Sequence, residues 1–531
     1  MVRSGIYIVN VAGVGDKSEK YSYHGAVDFK DPTCCTGTTA DKVYDYEEAI
    51  NLTGNGYYNC GLLAVLSLGL LGMGIDIFGF SVVVTGSACD FQLEHWQRSV
   101  MLSMPFVGPI LMSLTWGYIS DTQGRRKALL IALWGSFLSS FISAFSANWI
   151  MLAVLKVFSS SFCSAVQSGA YALLNESCAS AVRGVYMMIM TSALMLFVLS
   201  YVVPAYFILQ LNFAYNLGLL IFTPWRLLII LMAAPLGISA FLLHFYYESP
   251  KFLVNAGREE LALEYLAKIW TRNGGKNEYP VRKVVLHEDR SSKKRDIHIL
   301  KSLWLQTIPL FQPPLIWRTL QLFYLTAVIY CINNSLVMWM PYIIEAFTAG
   351  TSSSNANDSR SLCSILKSTA NVSTSYDTAT CSSSIKSHTL LSGITHGLVF
   401  AGITLVVSRL ASRKKLLMIM FLLIPALSSL GAIFNQNNLA SLILFVGMTM
   451  TNLCMGVLFS YYVELFPTSY SGMAACLGVM VARISGLAGV NFLGSFVMTH
   501  CTMTFYVFTA YLMSGVGVAM FLPSDIKAKE V

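Results

Sequence analysis

Apolar and polar positions alternate along this chain on a long period. Twelve apolar runs, each close to the roughly 20 residues that a helix needs to cross bilayer hydrocarbon, are set off by short polar loops. The runs predict helices near 61–87, 100–119, 128–147, 149–174, 186–211 and 225–247. A second set is predicted near 320–347, 390–408, 416–434, 439–463, 473–498 and 502–522. The polar remainder divides the chain into an N-terminal segment to residue 57, a six-helix bundle over 58–247, a linker over 248–317, a second bundle over 318–522 and a tail over 523–531. The expected fold is all-α, with twelve membrane-spanning helices in two pseudo-repeated six-helix bundles.

The two sets carry the same landmarks. Arg413, Glu464 and Gly472 follow Arg125, Glu176 and Gly184 at one common offset (413 − 125 = 464 − 176 = 472 − 184). A basic turn between two spans, then an acid at the end of a later one, has been used twice. A duplicated six-helix unit explains this, and two such halves facing each other are a recurring plan of secondary transporters.

Composition agrees. The chain has 531 residues, 55% hydrophobic and 12% charged, about half the charge of a soluble domain. The net charge of +8 is concentrated in a few loops, which argues against nucleic acid as a partner. Those loops orient the chain, because Lys and Arg collect on the cytosolic side. Arg125, Arg126 and Lys127 follow the second span, Arg409, Arg413, Lys414 and Lys415 follow the eighth, and eleven more basic residues run from Lys251 to Arg295. Both termini are then cytosolic. The first fifty-odd residues are polar and mixed, so no cleavable signal is expected and the first span is the insertion signal.

The loop over 348–389 falls on the opposite side, facing the exterior or a vesicle lumen. It is rich in Ser, Thr and Asn, and its sequons at Asn357 and Asn371 are expected glycosylation sites. Sequons at Asn51 and Asn175 are cytosolic and should stay bare. Cys363 and Cys381 share the loop, and the compartment favours a disulfide between them, with two free thiols as the alternative. In the cytosolic linker, Leu263, Leu266, Ile269 and Trp270 share one face of an amphipathic helix stopped by Asn273-Gly274-Gly275. Such a helix could brace both halves from beneath.

The turn after the second span reads Gly117-x-x-x-Asp121-x-x-Gly124-Arg125-Arg126-Lys127. Gly117 suits close helix approach, Asp121 suits a neighbouring helix N-terminus, and the arginines suit acids at other cytosolic helix ends. A lock of this kind holds one side shut and breaks when the halves rock; a turn that only sets topology is the plainer reading. The run resembles the signature loop of the major facilitator superfamily. Glu248-Ser249-Pro250-Lys251-Phe252-Leu253 resembles an element of sugar porters and organic-ion transporters. The segment from Tyr44 to Gly56, and Glu464-Leu465-Phe466-Pro467-Thr468, are similar to the synaptic vesicle glycoprotein 2 group. The resemblance spans about Tyr44 to Leu522. It implies alternating access around a central cavity lined mainly by the first, fourth, seventh and tenth helices. It also implies a cytosolic gate, assigned to Gly117, Asp121, Gly124, Arg125, Arg126, Glu176, Arg183, Glu248, Arg413 and Glu464. The chain departs from the pattern where the second copy of the loop has Leu405, Arg409 and Ser412 in place of Gly117, Asp121 and Gly124.

Ionisable residues inside spans are expensive and are functional candidates by default. Asp76 lies in the first span, Lys156 in the fourth and Arg483 in the eleventh. Asp76 is the candidate proton or cation site and Arg483 the candidate site for a substrate anion or for gating; mutual structural pairing is the alternative. Lys156 sits nearer a helix end, from which it could snorkel. Tyr330 and Asn334 in the seventh span and Asn452 in the tenth are the candidate polar lining for an organic solute. No phosphate-binding loop, nucleophile elbow or metal-ligand cluster occurs, so no enzyme activity, cofactor or metal is expected. The expected function is secondary-active or facilitative transport of a small organic ion, zwitterion or sugar-like solute, with a proton or other ion as the possible coupling partner. The expected form is a monomer in the lipid bilayer of the plasma membrane or a vesicle. A non-transporting binding or scaffold protein on the same fold is the rival reading.

Overall fold

The computed structural model describes residues 43–216, 218, 220–285, 307–352, 362–364, 387–409, 413–466, 468–497 and 499–523. The first bundle comprises α1 (Tyr57–Ser87), α2 (His95–Gln123), α3 (Arg125–Ser143), α4 (Trp149–Ser177), α5 (Ser180–Ile208) and α6 (Pro224–Leu243). The second comprises α7 (Ile316–Ser352), α8 (Ser387–Arg409), α9 (Lys414–Phe434), α10 (Ala440–Tyr462), α11 (Thr468–Phe496) and α12 (Cys501–Met520). Among the described residues eleven of these are long and apolar enough to cross a membrane. The twelfth span is α3, whose first turn is Arg125-Arg126-Lys127 and whose apolar stretch starts only at Ala128. The twelve-helix reading of the sequence holds, and the helices run a turn or so beyond several of the apolar runs.

Local sequence sets the helix ends. Asn148 accepts from the Met151 amide at 2.8 Å and opens α4. Pro224 takes the first position of α6, where its missing N–H has no consequence. Prolines inside α2, α5, α6, α7 and α9 are carried without ending the helices, as membrane helices allow when neighbours satisfy the freed carbonyls. Within the first half α3 packs on α4 and α6, and α1 on α6; within the second α7 packs on α11, and α9 on α12. The halves meet along two seams, α2 against α11 and α5 against α8. The duplication exchanges these two seams, α2 corresponding to α8 and α5 to α11.

A small second core lies beneath the first half. Val43–Asp45 pairs in parallel with Lys283–Val285, the helix Tyr46–Leu52 follows, and Tyr46, Ala49 and Ile50 pack with Leu266, Val281 and Val284. Leu266 belongs to the predicted linker helix, Glu259–Arg272. Burial and the nearby Glu176 and Glu47 push the Tyr46 phenol well above its usual value, so it keeps its proton and donates to the Glu176 carbonyl. Tyr279 donates to the Ala49 carbonyl at 2.6 Å, and Asn273 to that of Thr53 at 3.1 Å. The linker helix therefore joins the N-terminal segment to α1 and the first bundle, rather than acting as the brace under both halves that its position suggested.

On the side away from the basic turns, Cys363 bonds to Cys501 at the start of α12, with Cα atoms 5.5 Å apart. The disulfide expected between Cys363 and Cys381 is thus corrected: the partner of Cys363 is Cys501, which opens α12 and lies outside that loop. Cys381, Asn357 and Asn371 fall outside the described residues. Non-reducing peptide mapping should recover a crosslinked pair holding Cys363 and Cys501; a Cys363–Cys381 peptide would refute the assignment. Because 138 residues separate the two sulfurs, Cys501→Ser should lower stability by about 2–4 kcal/mol.

Candidate functional site

Two buried polar clusters sit inside the helix bundle, joined by one face of α4. In the first, Lys156 Nζ lies 2.8 Å from Asp76 Oδ1, and both side chains are almost fully enclosed. Lys156 also donates to the Asp76 carbonyl and sits 5.2 Å from the centre of the Phe80 ring. The carboxylate is otherwise saturated. Ser140 of α3 donates to Oδ1, and Ser159 of α4 to Oδ2 at 2.9 Å, with the Cys163 thiol 3.7 Å from the same oxygen. A chamber of about 20 Å³, room for one water, adjoins the pair between Phe80, Val83, Ser143, Ile229 and Met232. Lys156 does not snorkel. It is seven residues inside α4 and points at α1, so Asp76 is matched by Lys156 and not by Arg483.

In the second cluster, Arg483 of α11 is buried against the first half and donates to Gln167 Oε1 of α4 at 3.4 Å. Its Nε has no hydrogen-bond partner, and no acidic side chain pairs with it among the described residues. Tyr330 of α7 is close enough to interact electrostatically with the guanidinium. One turn along α7, Asn334 leaves its Nδ2 unbonded and Asn333 its Oδ1. A Cβ on Gly486, one turn from Arg483, would stand 2.3 Å from Asn334 Nδ2, which places this amide beside the arginine. Asn452 of α10 reaches the Met195 sulfur of α5 at 3.3 Å. The structure thus gathers Arg483, Tyr330 and Asn334 where the halves meet, sets Asn452 on a neighbouring bridge between them, and leaves Asp76 and Lys156 inside the first half.

Lys156, Ser159, Cys163 and Gln167 repeat at intervals of three and four, so they share one face of α4. That face links the ion pair to Arg483. Gln167 was missed in the sequence because a lone amide in a span carries no signal until its partner is known. His396 of α8, fully buried, was also missed; a single histidine in an apolar run was the available clue.

Around the basic turn after α2, the ion pairs among the described residues lie within the first half. Arg125 Nε is 3.4 Å from Glu176 Oε1, and Arg183 is 3.0 Å from Glu47. Glu248 accepts the backbone amides of Arg126 at 2.8 Å and Lys127 at 3.2 Å, at the positive end of α3. Arg126 itself donates to the Leu243 and His244 carbonyls at the end of α6. Gly124 has φ +108° and lies against Glu248. Gly117, expected at a close helix approach, has nothing within 4 Å of where a Cβ would stand. Arg413 is exposed and precedes α9; the side chains of Asp121 and Glu464 fall outside the described residues. On the opposite side His95 meets the Gly494 carbonyl, Ser99 donates to Asn491 at 3.3 Å, and Trp339 to the Val490 carbonyl at 3.0 Å. Through His95 and Ser99 the α2–α11 seam is closed on this opposite side.

Comparison with known proteins agrees with this architecture. The family model described as "Sugar (and other) transporter" matches residues 62–352. The synaptic vesicle 2-related protein of Rattus norvegicus is 24% identical over 99% of this chain and 88% of its own length. Organic cation/carnitine transporter 7 of Arabidopsis thaliana is 26% identical over 49% of this chain and 50% of its own. Among solved structures, a D-xylose-proton symporter superposes with a TM-score of 0.60 at 14% identity, covering 88% of this chain and 99% of that one. The protein is therefore a multi-pass membrane solute transporter and not an enzyme, and the chain belongs to the sugar (and other) transporter family of the major facilitator superfamily.

Proposed function

We propose that this transporter carries a small organic solute with an anionic group, held at Arg483 between the halves and passed across the membrane as they rock. The observation that carries the reading is a guanidinium buried at the meeting of the halves, bonded among the described residues only to an amide, beside the unused amide atoms of Asn333 and Asn334. A buried charge without a counter-charge is strongly unfavourable, and a carboxylate or similar group would supply what is missing, in the bidentate geometry that arginine favours. Asn452 and Tyr330 complete the polar lining. Asp76 is already neutralised by Lys156, which removes it as the anchor for an organic cation and leaves it as the coupling group: a proton on Asp76 would release Lys156. One solved neighbour is, by its title, a proton symporter. The basic turns and the acids around Glu176 and Glu248 supply the first half's side of a cytosolic gate; the basic loops favour cytosolic termini, and relatives named for synaptic vesicles favour a vesicle membrane.

The test is thermal stabilisation of the purified protein by a charge-sorted panel of organic anions, cations, zwitterions and sugars. A solute at a hundred times its Kd adds about 2.7 kcal/mol. Stabilisation by carboxylate-bearing compounds is expected, and Arg483→Gln should abolish it. Without solute, Arg483→Gln should melt no lower than the parent, because it removes an unmatched charge; a merely structural arginine would lower it. Stabilisation by organic cations alone, or undiminished in Arg483→Gln, would refute the assignment.

A further inference from the structure

The α5–α8 seam contains a titratable group that the transport reading does not use. His396 lies on α8 between Gly393 and Gly397, at both of which α8 comes close to α5. A Cβ on Gly397 would stand 2.7 Å from Leu199 Cβ, and one on Gly393 2.9 Å from Val202 Cβ. The imidazole is fully buried. Its ring centre is 4.1 Å from that of Phe400 and 6.4 Å from that of Phe197, which α5 contributes from the other half. Phe197 in turn packs on Phe78 of α1, at 4.8 Å.

The hydrogen bonds favour one tautomer. Thr449 Oγ1 of α10 donates its single hydrogen to the Val446 carbonyl at 2.6 Å. The same oxygen is 3.1 Å from His396 Nδ1; with its hydrogen on Val446 it accepts there, which favours the tautomer with the imidazole proton on Nδ1. Nε2 is then a bare lone pair, and no partner among the described residues reaches it. Among the described residues, the ring's aromatic and hydrogen-bonding partners from α5, α8 and α10 are Phe197, Phe400 and Thr449, none of them charged. On the helices packed against α8, the titratable side chains include Tyr201 of α5, Tyr342 and Glu345 of α7 and Cys454 of α10, and none is bonded to the ring.

We propose that His396 Nε2 is a proton-binding site built into the α5–α8 seam, filled from luminal water when the seam parts and emptied before it closes. A second N–H in the closed seam would face aromatic rings with no acceptor and no counter-charge, a burial that costs several kcal/mol. Parted helices let water accept that N–H and solvate the charge. Protonation and closure thus exclude each other, and acid on the luminal side should favour the parted seam. The proposal rests on the rocking of the halves, but not on Arg483 or on any solute.

The experiment is hydrogen–deuterium exchange of the full chain in nanodiscs between about pH 5 and pH 8, where imidazole ordinarily titrates, corrected for intrinsic exchange. In the parent protein, amides in the luminal halves of α5 and α8 should lose protection as pH falls, by at most about tenfold per pH unit, the limit for one linked proton. His396→Gln should remove this dependence while α3 and α9 stay protected. His95→Gln, altering the histidine of the other seam, should leave it intact. Should His396→Gln fail to fold, Thr449→Val, which removes the acceptor for Nδ1–H, should shift the midpoint of the response. No response in the parent, an unchanged response in folded His396→Gln, or an unshifted midpoint in Thr449→Val would overturn the proposal. Any of these alongside solute stabilisation that still depends on Arg483 would overturn the proton site alone.

Discussion

Lys156→Met should destabilise the protein by about 3–5 kcal/mol, the range for breaking a buried ion pair from one side. The variant leaves the Asp76 carboxylate enclosed by Ser140, Ser159 and Cys163 with no cation. Three neutral donors do not replace an ammonium 2.8 Å away. Asp76→Asn should be nearly as harmful, since it strands the lysine on a single backbone carbonyl. The double variant Asp76→Asn/Lys156→Met should recover most of the loss, because a neutral pair of similar volume has no charge to desolvate. Thermal melts of all four proteins in one detergent, with size-exclusion profiles, close the cycle. If the two single losses simply add in the double variant, the pair is not the coupled unit that its geometry indicates. A folded double variant also separates structure from coupling: proton-linked transport should be lost in it while binding at Arg483 persists.

How far the sequence anticipated this follows from the range of each interaction. Spans, loops and duplication are set by transfer free energies along the chain, so they were legible in the apolar runs and in the common offset of Arg413, Glu464 and Gly472. The resemblance of the Gly117–Lys127 turn to a superfamily signature pointed to the same fold, which the family model and the solved neighbour then showed. Pairings across helices depend on rotation about helix axes, which hydropathy does not encode. Asp76 and Lys156 were both flagged, yet their contact joins positions 80 apart. The depth of Lys156 was nonetheless readable: seven residues into a helix is about 10 Å, further than a lysine side chain spans. The Cys363 partner was missed because compartment chemistry tells which cysteines can oxidise, not which loops lie together. His396 was missed because one histidine in an apolar run reveals neither its orphan nitrogen nor the seam it occupies.

Gly124→Ala should lower stability by about 2–4 kcal/mol, from two sources that share one atom. The first is backbone strain. Gly124 has φ +108°, a conformation whose cost for a residue with a Cβ is on the order of 1–3 kcal/mol. The second is displacement of Glu248: the new Cβ would stand 2.5 Å from its Oε2. That carboxylate accepts two amides at the start of α3 and so ties the α2–α3 turn to the chain leaving α6; hydrogen bonds to a charged group are worth about 1.5–3 kcal/mol each. Next to it, Ser249 donates to Glu176, the acid paired with Arg125, so a shift of Glu248 passes directly to the Arg125 contact. Glu248→Ala alone should lose the capping contribution, and Gly124→Ala added to it should cost only the strain. The combined loss should therefore fall short of the sum of the two. Full additivity in thermal melts would mean that turn and cap are independent. In that case the cytosolic charges would be separate surface pairs, each worth about 1 kcal/mol or less, and too weak to hold a gate as one unit.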